Sequence, residues 1–274
     1  MDPTPDSRPA DALLAYLGHA TVLLELDGVR LLTDPVLRGW IGPLRRRGAR
    51  PDLGRLADLD AILISHLHID HFDGPSLRLL DHATRVVGPV GSGKLLLRRR
   101  FADVVELSPG ERASVGAVDV TAVSAVHAGA RHPLAADTPS LGYVVSGSRS
   151  VYFAGDTALF DGMDGLWPGL DVALLPIAGW GPTLEPDEHM GPEQAAEAVR
   201  LLRPHVAVPI HWGTFALPGS RLLRREPGGE EAAQAFVERS RKLSPDVAAV
   251  LVRPAEGLDL RTLEVLRPAA PSQE

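Results

Sequence analysis

The six residues His66-Leu67-His68-Ile69-Asp70-His71 follow, one residue on, the apolar run Ala61-Ile62-Leu63-Ile64. A short apolar run bounded by polar positions suits a buried strand. Such a strand delivers three imidazoles and a carboxylate to one place, where a rigid element can fix a loop. In extended chain, residues two apart point the same way, so His66 and His68 can grip one ion together. Asp70 and His71 come where the chain bends and can face a second. A lone histidine is more often a core or surface residue than a ligand. Burying four such groups this close together without a cation or hydrogen-bond partners is costly, which favours a metal site.

Composition narrows the chemistry. The 274 residues include no cysteine, so disulfides and zinc–thiolate sites are excluded. Any metal is then held by imidazole and carboxylate. The absence of cysteine also fits a cytoplasmic protein. A net charge of -7 argues against a nucleic-acid partner. Hydrophobic residues make up 45% of the chain, enough for a sizeable core. No apolar run reaches about 18 residues, so no membrane span is expected. The segment Met1–Asp11 carries Asp2, Asp6 and three prolines, and lacks the basic and apolar regions of a signal peptide. The basic runs Arg45–Arg47 and Arg98–Arg100 read as solvated faces; attraction of an anionic substrate or membrane surface is the sharper alternative.

Apolar patterning predicts strands at Ala12–Leu17, Thr21–Leu26 and Val29–Thr33, with Asp27-Gly28 as a hairpin turn. Leu37–Pro51 reads as a long loop. Further strands are expected at Ala61–Ile64, Arg85–Gly88, Val104–Leu107, Val118–Val126, Leu141–Ser146, Ser150–Phe153, Val172–Leu175, Val206–Ile210 and Ala248–Val252. Helices are expected at Pro75–Asp81, Lys94–Phe101, Pro192–Leu202 and Glu230–Lys242, the third with proline and Glu193 in its first turn. Strands and helices alternate in two β-rich passes, which suggests two sheets packed face to face with helices outside. No linker divides the chain. A single domain over residues 12–254 is expected, with flexible tails at 1–11 and 268–274. Gly88-Pro89-Val90-Gly91-Ser92-Gly93-Lys94-Leu95 nearly spells a phosphate-binding loop, but Leu95 stands where that motif needs Ser or Thr. A turn and helix start is the preferred reading.

H-x-H-x-D-H after an apolar strand resembles the signature of the metallo-β-lactamase superfamily. The resemblance extends from about Leu13 to about Val252, because His127, Asp156 and His211 each follow an expected strand in the family's order. It implies an αββα four-layer sandwich with two mixed sheets. Leu17-Gly18-His19-Ala20-Thr21, Leu32-Thr33-Asp34-Pro35, His189-Met190 with Pro192-Glu193, and Ile210–Phe215 are similar to one branch. That branch includes the phospholipase D acting on N-acyl-phosphatidylethanolamine and the lactonase acting on ascorbate 6-phosphate. The cysteine ligand of many true β-lactamases is missing, as is the large inserted domain typical of RNA-processing members. Oxygen-reducing di-iron members usually carry Glu where this chain has Ile69.

The resemblance implies that His66, His68 and His127 hold one ion. Asp70, His71 and His211 hold another, and Asp156 bridges the two. Two divalent ions, zinc in the first instance with manganese or iron as alternatives, then activate a bridging hydroxide. The implied activity is hydrolysis of a phosphodiester, lactone or ester in a small-molecule, anionic substrate, with Asp70 and Asp156 as the catalytic carboxylates. A di-iron oxidoreductase and a non-catalytic metal-binding protein are the competing readings. His19, Arg131 and His189 are candidates for supporting a ligand or touching substrate. A turn role for His19 and a surface salt bridge for Arg131 are the plainer alternatives. His82, His132 and His205 carry no assigned role. Trp40, Trp180 and Leu184 are candidates for an apolar pocket wall, or simply pack their own loops. A homo-oligomer is compatible with all of this.

Overall fold

Successive residues of the strand at 12–18 alternate between two apolar environments. Leu14 and Tyr16 join one buried cluster, whereas Ala15 and Leu17 join another. Ala61 and Leu63 against Ile62 and Ile64 divide in the same way. A strand with both faces apolar must be covered on both sides, which requires layers above and below the sheet.

The computed structural model describes residues 12–127, 138–179, 188–219 and 229–267. The tails expected at 1–11 and 268–274, together with Arg131, His132, Trp180 and Leu184, lie outside the described residues. In chain order the elements are β1 (Ala12–Gly18), β2 (Thr21–Leu26), β3 (Val29–Thr33), β4 (Trp40–Ile41), β5 (Leu44–Arg46), β6 (Ala61–Leu63), α1 (Gly74–Leu77), β7 (Arg85–Pro89), α2 (Gly93–Arg98) and β8 (Val104–Leu107). Then come β9 (Arg112–Val115), β10 (Val118–Ser124), β11 (Leu141–Ser146), β12 (Ser150–Phe153), β13 (Val172–Pro176), α3 (Pro192–Leu202), β14 (Val206–Ile210), β15 (Phe215–Ala216), α4 (Glu230–Leu243), β16 (Ala248–Ala249), β17 (Gly257–Asp259) and β18 (Val265–Leu266).

One sheet of eight strands has the order β18-β17-β1-β2-β3-β6-β7-β8, and one of seven has the order β16-β14-β13-β12-β11-β10-β9. Each changes from antiparallel to parallel partway across, at β3–β6 and at β12–β13. The inner faces share one core: Leu14, Tyr16, Val22 and Leu24 of the first sheet with Val120, Tyr143, Val145 and Phe153 of the second. Leu77 of α1 and Leu96 of α2 cover the outer face of the first sheet. Ala195 and Val199 of α3 and Phe236 of α4 join the main core from the side of the second sheet. The layers are therefore α, β, β and α, with both sheets mixed. Asp27 and Gly28 both have positive φ (52° and 77°), as the hairpin between β2 and β3 requires.

Three expectations need revision. The segment 37–51 contains β4 and β5, which form a small sheet with β15 in the order β15-β5-β4. Arg46, expected on a solvated face, is buried: its guanidinium donates to the carbonyls of Leu17 (3.0 Å), Val36 (2.5 Å) and Arg38 (3.1 Å) and lies over the ring of Phe215. It clamps the small sheet to the end of β1, and burial lowers its pKa to about 10. Finally, β16 is only two residues long, and β17 pairs with β1, so the first sheet continues past residue 254 to β18.

The glycine-rich stretch before α2 carries its own anion. The amides of Gly91 and Gly93 both donate to Oε1 of Glu106, at 2.7 and 2.8 Å. A carboxylate from β8 thus occupies the position a phosphate would take.

Candidate metal centre

β3, β6, β12 and β14 all lie in the parallel parts of the sheets or at their start, and each delivers a polar side chain just past its C-terminal end. Asp34 follows β3, the His66–His71 run follows β6, Asp156 follows β12 and His211 follows β14. His127 comes shortly after β10, which is antiparallel to both its neighbours. Crevices outside the carboxyl ends of strands are the usual ligand sites of open α/β sheets.

The run itself bends where the sequence suggests. The amides of His71 and Phe72 both donate to the carbonyl of His68, at 3.0 and 2.7 Å, which closes a turn. Asp73 then caps α1 by accepting from the amide of Ser76. Asp156 reaches the centre because Gly155 adopts φ 62°, and because a Cβ there would stand 2.7 Å from Cβ of Ser65. Only glycine lets β12 approach Ser65 so closely.

Ligand-type atoms collect in overlapping groups, each within 4.8 Å. One contains His66, His68 and His127; another contains His19, Asp70, His71 and His211; a third contains His127, Asp156 and His189. Asp156 lies between them: Oδ2 is 3.3 Å from Nε2 of His71 and 3.5 Å from Nε2 of His189, and Oδ1 is 3.3 Å from Nε2 of His211. Nε2 of His127 faces Nδ1 of His68 at 3.1 Å, and Nε2 of His211 faces Nε2 of His71 at 3.2 Å. All seven residues expected as ligands are thus brought together. His19 and His189 join them.

Asp34 was legible as a strand end and as part of the Leu32–Pro35 motif, with no role assigned to it, and Ser65 carried no signal at all. Asp34 is fully buried. Its Oδ2 accepts from Nδ1 of His71 (2.7 Å) and from the hydroxyl of Ser65 (2.5 Å), and its Oδ1 from the amide of Ser65 (2.7 Å). The Ser65 hydroxyl also lies 2.9 Å from Nδ1 of His66. Asp34 thereby sets the rings of both histidines from beneath. On the other side, Nδ1 of His127 donates to the carbonyl of Glu188 (3.1 Å).

The electrostatics suit a cation. Burial lowers the pKa of His66 well below its ordinary value, that of His68 to about 4 and that of His211 to about 3, so these imidazoles are neutral with lone pairs to offer. Burial also lowers His127. Burial opposes the ionisation of Asp70 and Asp156, but neighbouring histidines outweigh it: His71 and His19 keep Asp70 anionic, and His211 and His71 keep Asp156 so. His71 runs the other way. Burial pushes it down, yet Asp156, Asp70 and Asp34 around it raise it well above its ordinary value.

Whether the residues fit a metal is decided by atoms that nothing in the protein satisfies. Nε2 of His66 and Oδ1 of Asp156 are buried without a hydrogen-bond partner. Each such atom costs about 1–3 kcal/mol unless something occupies its lone pair or proton. Two in one cluster, beside the facing imidazole nitrogens of His68 and His127 and of His71 and His211 and two anionic carboxylates, fit divalent cations bound by nitrogen and oxygen. Among the described residues no helix is long and apolar enough to cross a membrane.

Comparison with known proteins agrees with this geometry. The family described as the beta-lactamase superfamily domain matches residues 29–212. A metal-dependent hydrolase of Methanopyrus kandleri is 33% identical over 254 residues, covering 90% of this chain and 99% of its own. An N-acyl-phosphatidylethanolamine-hydrolyzing phospholipase D of Caenorhabditis elegans is 32% identical over 229 residues, covering 74% of this chain and 64% of its own. Among solved structures, a metallo hydrolase of the archaeon Ignicoccus hospitalis superposes with a TM-score of 0.67 at 25% identity, covering 90% of this chain and 97% of its own.

Proposed function

This chain belongs to the beta-lactamase superfamily and is a metal-dependent hydrolase, and from that premise we propose that it cleaves a phosphodiester at a centre for two divalent ions. His66, His68 and His127 would hold one ion, Asp70, His71 and His211 the other, and Asp156 both. The observation that carries the proposal is that Nε2 of His127 faces Nδ1 of His68 at 3.1 Å and Nε2 of His211 faces Nε2 of His71 at 3.2 Å, around the buried, unpartnered Nε2 of His66 and Oδ1 of Asp156. Two ions bound there would acidify a water to make a nucleophile near neutral pH and would polarise the electrophilic oxygen.

The protein's own groups do the rest. Asp70 accepts from His19 through Oδ2 at 3.1 Å, and its other oxygen would be left to orient the attacking water. His189, buried and 3.5 Å from Asp156, is placed to bear on a substrate oxygen. Zinc suits imidazole and carboxylate donors, as do manganese and iron. The phosphodiester preference follows the C. elegans relative, whose name specifies a phospholipase D. A lactone or ester is the second substrate class for the same nucleophile.

Elemental analysis and turnover of bis(p-nitrophenyl) phosphate test this together. About two ions per chain are expected, with hydrolysis abolished in His66→Ala. Protein purified without chelator that holds no metal would defeat the metal reading. Metal-loaded protein that opens lactones but leaves the phosphodiester intact would move the substrate class. Bound iron with a colour that changes on reduction would favour the oxidoreductase reading.

A further inference from the structure

We infer that His19 is a positioning residue for this reaction, a ring nitrogen and a carbonyl oxygen of one residue fixing Asp70 and His211, two ligands of the same ion. The inference rests on the two-ion reading above. His19 lies in the turn between β1 and β2, and is 4% exposed. Its Nε2 is 3.1 Å from Oδ2 of Asp70. An ionised carboxylate only accepts, so the proton belongs to Nε2, and that nitrogen has no lone pair to give a metal. The carbonyl oxygen of His19 accepts the amide of His211 at 2.8 Å, and the two rings lie 3.9 Å apart. A strand end of the first sheet and a strand end of the second are therefore joined through this one residue.

The surroundings hold His19 more tightly than a hairpin needs. The register slips between Tyr16 and Gly18, a bulge that re-aims the following side chain. The amide of His19 donates to Oγ1 of Thr214 at 2.6 Å, and that hydroxyl donates to the carbonyl of Trp212. Gly18 makes room for this: a Cβ there would stand 2.7 Å from Oγ1 of Thr214, and its φ is 108°. The ring of Phe215 meets the imidazole edge-on at 5.6 Å. His19 itself has φ 59° and His211 φ 64°. Left-handed backbone is disfavoured for a residue with a Cβ. A turn that needed only its backbone would take glycine or asparagine at position 19. A buried imidazole in that conformation has its explanation in the bond to Asp70.

Two substitutions separate the roles because they rank in opposite orders. His19→Gln places an amide nitrogen about where Nε2 stood and keeps the donor to Asp70. His19→Asn suits left-handed backbone better but stops short of the carboxylate. The full chain is stripped of metal and titrated with cobalt(II), the visible band reporting each ion, and bis(p-nitrophenyl) phosphate turnover is measured alongside. His19→Gln should bind the second ion within about threefold of wild type, and His19→Asn should bind it about 10–100-fold more weakly, the range for loss of a group that orients a ligand. The ion held by His66, His68 and His127 should bind as before in both. Should His19→Asn fail to fold, His19→Gly, which has no left-handed penalty, carries the same expectation. Wild-type affinity for the second ion in both His19→Asn and His19→Gly would overturn the inference in favour of a turn role. Equal loss in His19→Gln and His19→Asn would overturn it in favour of direct ligation. A wild-type chain that takes up only one cobalt defeats the two-ion reading itself, a result distinguishable from either.

Discussion

At the scale of single residues, Asp34 shows how much of a metal centre lies in groups that never face the ion. Its carboxylate touches His71 directly and His66 through Ser65, and it is fully buried. Asp34→Ala should therefore weaken metal binding about 10–100-fold without removing a ligand atom. Calorimetric titration of the stripped protein checks this; unchanged affinity would reduce Asp34 to a space filler. The ligand-type residues of His66–His71 stand out in the sequence because four of them crowd into six positions. Asp34 stands out only as part of the Leu32–Pro35 motif, which assigns it no role, and Ser65 does not stand out, because a single serine after an apolar run is an ordinary strand end. Arg46 was misjudged for a related reason. Three arginines in a row look like a solvated face, and only the carbonyls of Leu17, Val36 and Arg38, brought in from elsewhere in the chain, account for its burial.

At the scale of elements, β12 is positioned by the glycine at its end. Gly155→Ala combines left-handed backbone with a Cβ 2.7 Å from Cβ of Ser65. The expected loss is about 2–4 kcal/mol, from left-handed strain plus overpacking, read from urea unfolding. A loss under about 1 kcal/mol would mean that Ser65 gives way easily. The glycine-rich turn before α2 makes a milder prediction. Glu106→Ala removes the acceptor of the Gly91 and Gly93 amides. It should cost about 1 kcal/mol, since the freed amides can turn to water, and should leave hydrolysis unchanged. A new affinity for inorganic phosphate in that variant is not expected, and equilibrium dialysis would detect it. Longer strands were readable from their apolar runs. The two-residue strands β4, β15 and β18 were not, because so short a segment has no period and exists only through its partner; β16 was expected but is shorter than its apolar run.

At the scale of the whole molecule, the candidate centre sits where the two sheets meet. The first sheet contributes the residues after β3 and β6 and the turn after β1; the second contributes those after β10, β12 and β14. Cations bound there would hold the sheets together as well as serve chemistry. Chelation should lower the thermal midpoint, and metal returned at 100 times its dissociation constant should restore about 2.7 kcal/mol per ion. Differential scanning calorimetry with and without EDTA checks this, and an unchanged midpoint would place the ions outside the folded core.

By itself, the sequence determined the donor chemistry and the layering. No cysteine limited any ligands to nitrogen and oxygen, the His66–His71 run marked the candidate site, and apolar runs with helices between them implied covered sheets. These properties are local, so they survive in one dimension. Tertiary structure alone decided how Asp156 lies relative to His71 and His211, what orients the imidazoles, and that β17 pairs with β1. Those facts depend on contacts between residues far apart in the chain. The physical reason is that a hydrogen-bond partner is chosen by position in space, and composition carries no record of it.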